Sequence, residues 1–197
     1  MFDSSKFNLI LASASPRRKQ LMTDMGWTFS VIPSHAEEDV LAQWSFTETV
    51  ENLARQKAEA IDGHCITDNT IVIAADTIVC DSSGVLGKPA DEADARRMLL
   101  SLSGQSHQVI TGVCLRSHNF YHVFSVSTEV TFDILSEEEI TYYINRFHPF
   151  DKAGSYGIQE WIGLIAVASI NGSFYNVMGL PTHRLYVELN NFIKENF

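Results

Sequence analysis

The chain has 197 residues, of which 45% are hydrophobic and 19% charged, a composition that supports a buried core and excludes disordered and fibrous proteins. Its 14 basic and 24 acidic residues give a formal net charge of −10, which argues against a nucleic-acid partner because such a protein needs a basic face. The longest apolar run, 161–168, is far shorter than the roughly 20 residues that span a bilayer. We therefore expect a single domain over residues 1–197 with no nucleic-acid or membrane partner.

The first half of the chain alternates apolar runs with helical patterns. Strands are predicted at 7–12, 28–33 and 70–80, the last of them buried on both faces. Ser15-Pro16 supplies an N-cap and a first-turn proline for one helix, which Gly26 ends. Ser45 and Glu48 form a capping box that begins a second helix.

The second half adds a hairpin and three helices. Helices are predicted from about Asp91 to Gly104, after the capping box of Ser136 and Glu139, and from Pro181 onward. Strands are predicted at 107–116, 121–134, 162–170 and 174–178, with a loop at 149–159. Because hairpins and strand–helix units both occur, we expect an α/β protein with a mixed sheet.

The three cysteines indicate a reducing compartment. Cys65, Cys80 and Cys114 are an odd number and lack the CxxC spacing of many zinc sites. The N-terminal segment has no long apolar stretch of the kind that a secretory signal needs. We expect a cytoplasmic protein with reduced thiols.

The junction between the first strand and the first helix is a candidate anion site. A helix N-terminus offers free backbone N–H groups and a partial positive charge, and Ser13, Ser15, Arg17 and Arg18 add further donors. The glycines and the GK[ST] ending of a Walker A loop are missing. A capped helix with solvated arginines explains the spacing equally well.

Carboxylates form a second candidate site. Asp76 stands inside an apolar strand, where it is costly to bury unless it is paired, bound to a metal or open to a cleft. A strand-end aspartate bonded to a nearby turn is the structural alternative. Glu37, Glu38 and Asp39 form either a solvated acidic loop or oxygen ligands for Mg²⁺ or Mn²⁺.

Two lysines and one glutamine are candidate substrate ligands. Lys57, on the polar side of its helix, and Lys88, beside Pro89, could bind phosphate, although each alone is also explained as a surface lysine. Gln159 closes a glycine-containing loop, and its amide matches the N3–H and O4 edge of uracil or thymine. A flipped amide would fit cytosine equally. His107 could be catalytic, but a hydrogen-bonded structural histidine is the favoured interpretation.

Taken in order, these segments resemble the Maf family of nucleoside triphosphate pyrophosphatases over nearly the whole chain. The matching segments are SASPRR at 13–18, ADTIV at 75–79, GKP at 87–89, SGQSH through TG at 103–112, DKAGSYGIQ at 151–159 and NGS with GLP at 171–181. The Lys152 and Gln159 form of the fifth segment is similar to the dTTP/UTP branch of that family. After Gln159 the chain departs from the pattern, because Glu160-Trp161-Ile162 replaces a small, glycine-containing stretch.

The resemblance implies a Maf/ITPase-like α/β fold, with a central mixed β-sheet, helices on both sides and two lobes around a cleft. It also implies hydrolysis of nucleoside triphosphates, dTTP and UTP first, to the monophosphate and pyrophosphate with Mg²⁺ or Mn²⁺, and a related role in removing modified pyrimidine nucleotides. A nucleotide-responsive regulator of cell division, in which hydrolysis is secondary, is the alternative. A nucleoside triphosphate is the expected partner, and a homodimer is allowed for.

The resemblance also assigns roles to single residues. Asp76 is the implied proton acceptor, while Arg17, Thr77 and Gln159 occupy positions associated with substrate choice. The implied polyphosphate site and other substrate contacts involve Ser13, Arg18, Glu37, Glu38, Lys57, Lys88 and Lys152. The implied metal ligands are Glu37, Glu38 and Asp76.

Overall fold

In the computed structural model, which describes residues 6–37 and 39–197, the chain forms an α/β fold with seven strands and seven α-helices. The strands are β1 (Asn8–Leu11), β2 (Phe29–Val31), β3 (Thr70–Asp81), β4 (Gly84–Leu86), β5 (Ser106–Arg116), β6 (Tyr121–Phe132) and β7 (Val167–Asn171). The helices are α1 (Pro16–Asp24), α2 (Phe46–Glu59), α3 (Glu92–Leu102), α4 (Glu137–Phe147), α5 (Trp161–Ile165), α6 (Phe174–Met178) and α7 (Thr182–Asn196).

The strands form one mixed sheet in the order β2-β1-β3-β5-β6-β7, and β4 pairs with β3 off this path. β1 runs parallel to both of its neighbours, with Leu11 opposite Val31 of β2 and Ile73 of β3. The β3–β4 and β6–β7 pairs are antiparallel. The predicted α/β class with a mixed sheet is therefore confirmed.

The chain divides into two compact units, each with its own buried core. The first unit comprises Met1–Asp76, Thr111–Val126 and Gly179–Phe197, and the second comprises Thr77–Ile110 and Ser127–Met178. The expectation of one domain over residues 1–197 stays a prediction. Among the described residues, no helix is long and apolar enough to cross a bilayer.

In the first unit, α2 packs closely on the sheet through small side chains. Ala54 and Ala58 of α2 share a buried cluster with Ile10, Val72 and Ala74 of β1 and β3. Both alanines are fully buried, so the helix backbone lies near the strands. Because of this close approach, the residues of α2 that neighbour the two alanines also lie close to the sheet.

Local capping signals begin two of the helices as predicted. At the start of α2, Ser45 N donates to Glu48 Oε2 at 2.8 Å, and Glu48 N donates to Ser45 Oγ at 3.2 Å. Ser136 and Glu139 form the same reciprocal pair before α4. Each box satisfies two N–H groups that a helix start otherwise leaves unpaired.

The second unit corrects two of the strand predictions. Residues 162–165 belong to α5, the strand begins only at Val167, and residues 174–178 form α6 instead of a strand. Ser173 Oγ accepts a hydrogen bond from Asn176 N at 3.3 Å, and buried Asn176 donates through Nδ2 to Val109 O and Thr128 Oγ1. Such a short, mostly hydrophobic segment fits a helix or a strand equally well by its periodicity, and here the buried Asn176 amide favours the helix.

The contact between α2 and β5 gives a test of this packing. A Cβ atom on Gly112 would overlap the backbone carbonyl of Val50 and lie 2.8 Å from Glu51 N. We expect Gly112→Ala to lower the free energy of unfolding by about 2 kcal/mol, because overpacking a close contact costs about 1–3 kcal/mol. The melting temperature, measured by circular dichroism, should fall by roughly 4–8 °C.

Gly63→Ala is the matched control, because a Cβ at Gly63 meets no atom within 4 Å. Its melting temperature should stay within about 2 °C of the wild-type value, since surface substitutions change stability little. Equal melting temperatures for the two variants would contradict the close approach of α2 to β5.

Candidate functional site

In the first unit, the first predicted segment and Asp76 both follow the point where β1 ends. β1 ends at Leu11, opposite Ile73, and Ala12 N still donates to Ile73 O at 2.9 Å. β3 continues past this point through Asp76, while the chain leaving β1 turns into α1. Because β1 and β3 are parallel, the chain after β1 and Asp76 lie toward the same edge of the sheet.

Serine side chains shape the start of α1. Ser15 is the N-cap, and its Oγ accepts from Arg18 N at 3.4 Å, with Pro16 as the first helical residue. Ser13, which is 8% exposed, accepts through Oγ from Ser15 N at 3.2 Å. Within α1, all of whose residues are described, the first turn contains no acidic residue. The positive end of the helix therefore has no carboxylate of its own first turn against it.

Arg18 is held in place by two hydrogen bonds. Its Nε donates to Gly179 O at 2.8 Å, and its Nη1 donates to Ser13 Oγ at 3.3 Å. Arg17, the preceding residue, is half-buried. The structure thus brings Ser13 and Arg18 into direct contact, and their role as an anion site stays a prediction.

Lys57 and Asp76 form an ion pair between α2 and β3. Lys57 Nζ donates to Asp76 Oδ1, and the two side chains are 15% and 14% exposed. The close packing of α2 on the sheet delivers the ammonium group to the strand. The interpretations of Lys57 as a surface lysine and of Asp76 as a strand-end residue bonded to a turn are both wrong, because the pair is largely buried.

The acidic loop is tied to α2 one residue before Lys57. Gln56 Oε1 accepts from Asp39 N at 3.0 Å, and Gln56 Nε2 donates to Asp39 O at 2.9 Å. Glu37 is exposed, and Glu38 lies outside the described residues. In the described part of the chain, no group of three or more His, Cys, Asp and Glu side chains is placed to hold a metal ion. The acidic loop and α2 are nevertheless joined by paired hydrogen bonds.

The second unit holds the remaining candidates. Thr77, half-buried, follows Asp76 in β3, and Lys88 is exposed. Gly87 O, next to Lys88, accepts from Gly154 N at 3.0 Å. Gly154 has φ +67°, and a Cβ there would lie 3.0 Å from Val79 Cγ1, so only glycine fits this position easily. These contacts fix the segment 151–159 on β3 beside Lys88.

Lys152 is buried in a network of charged groups. Its Nζ lies 2.7 Å from Asp151 Oδ1 and 3.1 Å from Glu160 Oε1. The hydroxyl of Tyr143 donates to Glu160 Oε2 and accepts from Gly157 N at 3.0 Å. Burial, together with the neighbouring Glu160 carboxylate, raises the pKa of Tyr143 well above its usual range, so the phenol stays protonated. Gln159, within the same segment, is exposed.

Sequence reasoning did not identify Tyr143 and Glu160 as parts of this network. Ile140, Tyr143 and Ile144 are all buried on one face of α4. That i, i+3, i+4 spacing predicts a buried tyrosine, whose hydroxyl then needs a hydrogen-bond partner. The spacing does not identify the partner, because Glu160 reaches Tyr143 only through the fold.

His107 is buried and hydrogen-bonded, as the favoured structural interpretation predicts. It is 2% exposed, and its Nε2 lies 2.8 Å from Tyr156 Oη. Its ring also meets the edge of Phe132, with centroids 5.1 Å apart. Burial lowers the pKa of His107 to about 4, so the imidazole is neutral at physiological pH.

Comparisons with known proteins match nearly the whole chain. The sequence profile of the family described as Maf-like protein matches residues 8–192. A protein of Porphyromonas gingivalis named dTTP/UTP pyrophosphatase is 49% identical over 194 residues, 97% of each chain. Proteins of the same name from Bacteroides thetaiotaomicron and Phocaeicola vulgatus are 49% and 50% identical and cover 93% of this chain and 95% of their own. The solved Staphylococcus aureus Ham1 protein covers 64% of this chain and 71% of its own at 20% identity and a TM-score of 0.41, too low to support an argument.

The depressed pKa of His107 predicts a loss of stability in acid. Because the folded pKa of about 4 lies below the ordinary value of 6.5, the unfolded chain takes up the proton first as the pH falls. The stabilisation is complete above about pH 6.5 and is lost as the pH falls toward about 4. We expect a loss of about 2 kcal/mol between about pH 7 and pH 5, measured by urea unfolding.

His107→Gln should lack this part of the pH dependence. The exposed His118 gives a matched control, because His118→Gln should keep the wild-type slope. A wild-type slope in His107→Gln would show that the buried imidazole is not its source.

Proposed function

Because the chain belongs to the Maf-like protein family, we propose that it is a nucleoside triphosphate pyrophosphatase, a hydrolase of acid anhydrides that acts on dTTP and UTP. Water attacks the phosphate chain, and the nucleoside monophosphate and pyrophosphate leave. The observation that carries this proposal is the largely buried Lys57–Asp76 pair, which lies on β3 beyond the point where the parallel strand β1 ends and leads into α1. The names of the relatives support the choice of dTTP and UTP.

Cationic side chains can stabilise the negative charge of the phosphates and hold them in line, which is most of what phosphoryl transfer requires. Charge stabilisation and in-line positioning dominate such reactions, since the phosphate oxygens are negative throughout. We assign binding of the phosphates to Arg17, Arg18 and Lys57, and Lys88 is proposed as a further phosphate ligand. Ser13 adds a hydroxyl donor, and its contact with Arg18 keeps the guanidinium oriented.

Asp76 is assigned as the group that accepts the proton of the attacking water. A general base must carry its charge before the reaction, and Lys57 stabilises that charge through Oδ1. The second carboxylate oxygen, Oδ2, is then the atom to which the proton moves. Lys57 has a double task in this proposal, because it balances Asp76 and also attracts phosphate.

A divalent cation, Mg²⁺ or Mn²⁺, fits the donor chemistry of the first unit. Such ions prefer carboxylate oxygens and often use only one or two of them together with substrate phosphates. We propose that Asp76, Glu37 and Glu38 would hold it; the loop that carries the two glutamates is bonded to α2 through Asp39 and Gln56. When bound, the ion neutralises negative charge on the phosphate oxygens.

Recognition of the base is assigned to the second unit. The amide of Gln159 offers an acceptor and a donor side by side, which matches the N3–H and O4 of uracil and thymine. Thr77 and Arg17 occupy the other positions proposed to influence substrate choice. Because the same base recognition would accept modified pyrimidine nucleotides, we also propose a related role in removing them. Comparing kcat/KM for 5-methyl-UTP with kcat/KM for UTP tests this role.

The cellular compartment, the absence of nucleic-acid partners and the oligomeric state are also proposals. The three cysteines are free thiols, and nucleoside triphosphates are cytoplasmic metabolites, so we propose a cytoplasmic enzyme without nucleic-acid partners. A homodimer stays a prediction. The alternative of a division regulator with secondary hydrolysis gains no support from the relatives, whose names describe an enzyme.

Asp76→Asn tests the catalytic assignment. The wild-type protein should release pyrophosphate from UTP and dTTP with Mg²⁺ or Mn²⁺, and the variant should lose about 100- to 10,000-fold in kcat, the usual contribution of a general base. The measurement is pyrophosphate release, with circular dichroism to show that the variant is folded.

Asp68→Asn is the control for the charge change, because Asp68 is exposed. It should keep wild-type turnover. Near-wild-type pyrophosphate release by a folded Asp76→Asn variant would exclude Asp76 as the base.

Gln159→Ala tests the base-reading assignment. Loss of the two amide hydrogen bonds should raise KM for UTP and dTTP by about tenfold and leave kcat nearly unchanged, because the bonds hold substrate and transition state alike. Steady-state kinetics over UTP, dTTP, CTP and GTP provide the measurement. An unchanged ranking of the four substrates would reject the role of Gln159.

A further inference from the structure

Gln159 sits in a four-residue turn whose two ends are tied to each other. Glu160 N donates to Gly157 O at 2.9 Å, so the turn runs from Gly157 to Glu160 and Gln159 is its third residue. Gln159 is exposed, while Gly157 and Ile158 are buried. The amide is therefore presented to solvent from a turn anchored in the interior.

One phenol outside the turn bridges both of its ends. Tyr143 Oη accepts from Gly157 N at 3.0 Å at the start of the turn and donates to Glu160 Oε2 at its end. Tyr143 is fully buried and belongs to α4 in the core of the second unit. A rigid helix thus fixes the first and last residues of the turn through a single oxygen atom.

Lys152 holds the other oxygen of the same carboxylate. Its Nζ lies 3.1 Å from Glu160 Oε1 and 2.7 Å from Asp151 Oδ1, and its side chain is 9% exposed. A buried ammonium needs such pairing, because an unpaired charge in the interior is costly. Both carboxylate oxygens of Glu160 are therefore engaged, and its side chain cannot rotate without breaking an ion pair or a hydrogen bond.

The missing side chain of Gly157 leaves room for Gln159. A Cβ at Gly157 would lie 2.8 Å from Gln159 Nε2 and 2.9 Å from Glu160 Cδ. The glutamine amide consequently folds back over the α-carbon at the start of its own turn. Its orientation depends on that turn keeping its shape.

We propose that Tyr143 and Glu160 are positioning residues that fix the Gln159 amide for recognition of the pyrimidine base, an inference that rests on the function proposed above. The clamp, defined as Tyr143, Glu160 and Lys152, lowers the conformational freedom that Gln159 would lose when the nucleotide binds. Preorganisation of this kind raises affinity without adding any contact to the ligand. It gives Glu160, where the chain departs from the family pattern, a role in substrate choice.

Tyr143→Phe removes the bridging oxygen and keeps the buried ring. We expect KM for UTP to rise by roughly five- to tenfold with kcat within about twofold, and the preference for UTP over GTP in kcat/KM to fall by a similar factor. Tyr142→Phe is the matched control: it makes the same change on the adjacent, half-exposed residue and should leave both quantities at wild-type values.

Two further variants separate positioning from general damage to the fold. Glu160→Gln keeps an oxygen that can accept from Tyr143 and should retain more of the UTP preference than Glu160→Ala, which removes both contacts. Gly157→Ala should lower the preference through displacement of the Gln159 amide, with Tyr143 and Glu160 intact. Loss of activity without a change in preference would mark a purely structural role and overturn the proposal.

A readout without turnover separates this proposal from the function itself. Hydrogen exchange of the Gly157 and Glu160 amides, measured by NMR without nucleotide, should accelerate by roughly tenfold in Tyr143→Phe and stay unchanged in Tyr142→Phe. The ratio of UMP to GMP affinity, from calorimetry, should fall in parallel. If the wild-type protein releases no pyrophosphate but these two results hold, the catalytic function fails and the clamp stands. Unchanged exchange or an unchanged affinity ratio in Tyr143→Phe overturns the clamp.

Discussion

The ion pair between Lys57 and Asp76 is the interaction on which the candidate site depends. A carboxylate inside an apolar strand is costly unless it is paired, bound to a metal or open to a cleft, because desolvation of an unpaired charge costs several kcal/mol. Lys57 reaches Asp76 because α2 lies close to the strands, which requires Ala54 and Ala58 on its inner face and a glycine at 112. The position of Lys57 therefore depends on three small residues that are themselves buried.

Local signals in the sequence predicted most of the elements, and short ambiguous runs account for the errors. The capping boxes before α2 and α4 and the long strand β3 form as predicted, because their determinants lie within a few residues of one another. Residues 174–178 were predicted as a strand and form a helix. Five residues carry too little periodicity to distinguish the two, and the deciding contact, from Asn176 to Val109 O, joins distant parts of the chain.

The same division between local and distant information applies to the site. Motif spacing selected Ser13, Arg18 and Asp76, and the structure brings Ser13 and Arg18 into contact. The motif spacing could not show that Lys57 neutralises Asp76, because α2 and β3 meet only in the folded chain. Glu160 likewise carried no signal beyond its departure from a pattern, since its partners Tyr143 and Lys152 lie elsewhere in the sequence.

A protein with a net charge of −10 is proposed to bind a triphosphate, and pairing of its own acids makes this possible. Lys57 pairs with Asp76, and Lys152 pairs with both Asp151 and Glu160, so in each unit a largely buried cation offsets part of the negative charge. Charges elsewhere on the surface act through water and salt, where the screening length is only about 8 Å at physiological ionic strength. The binding energy of a phosphate then comes mainly from the arginines and backbone N–H groups that lie within this screening length of it. Binding of the anion is governed by the local arrangement of charge, and the overall acidity of the chain opposes it only weakly.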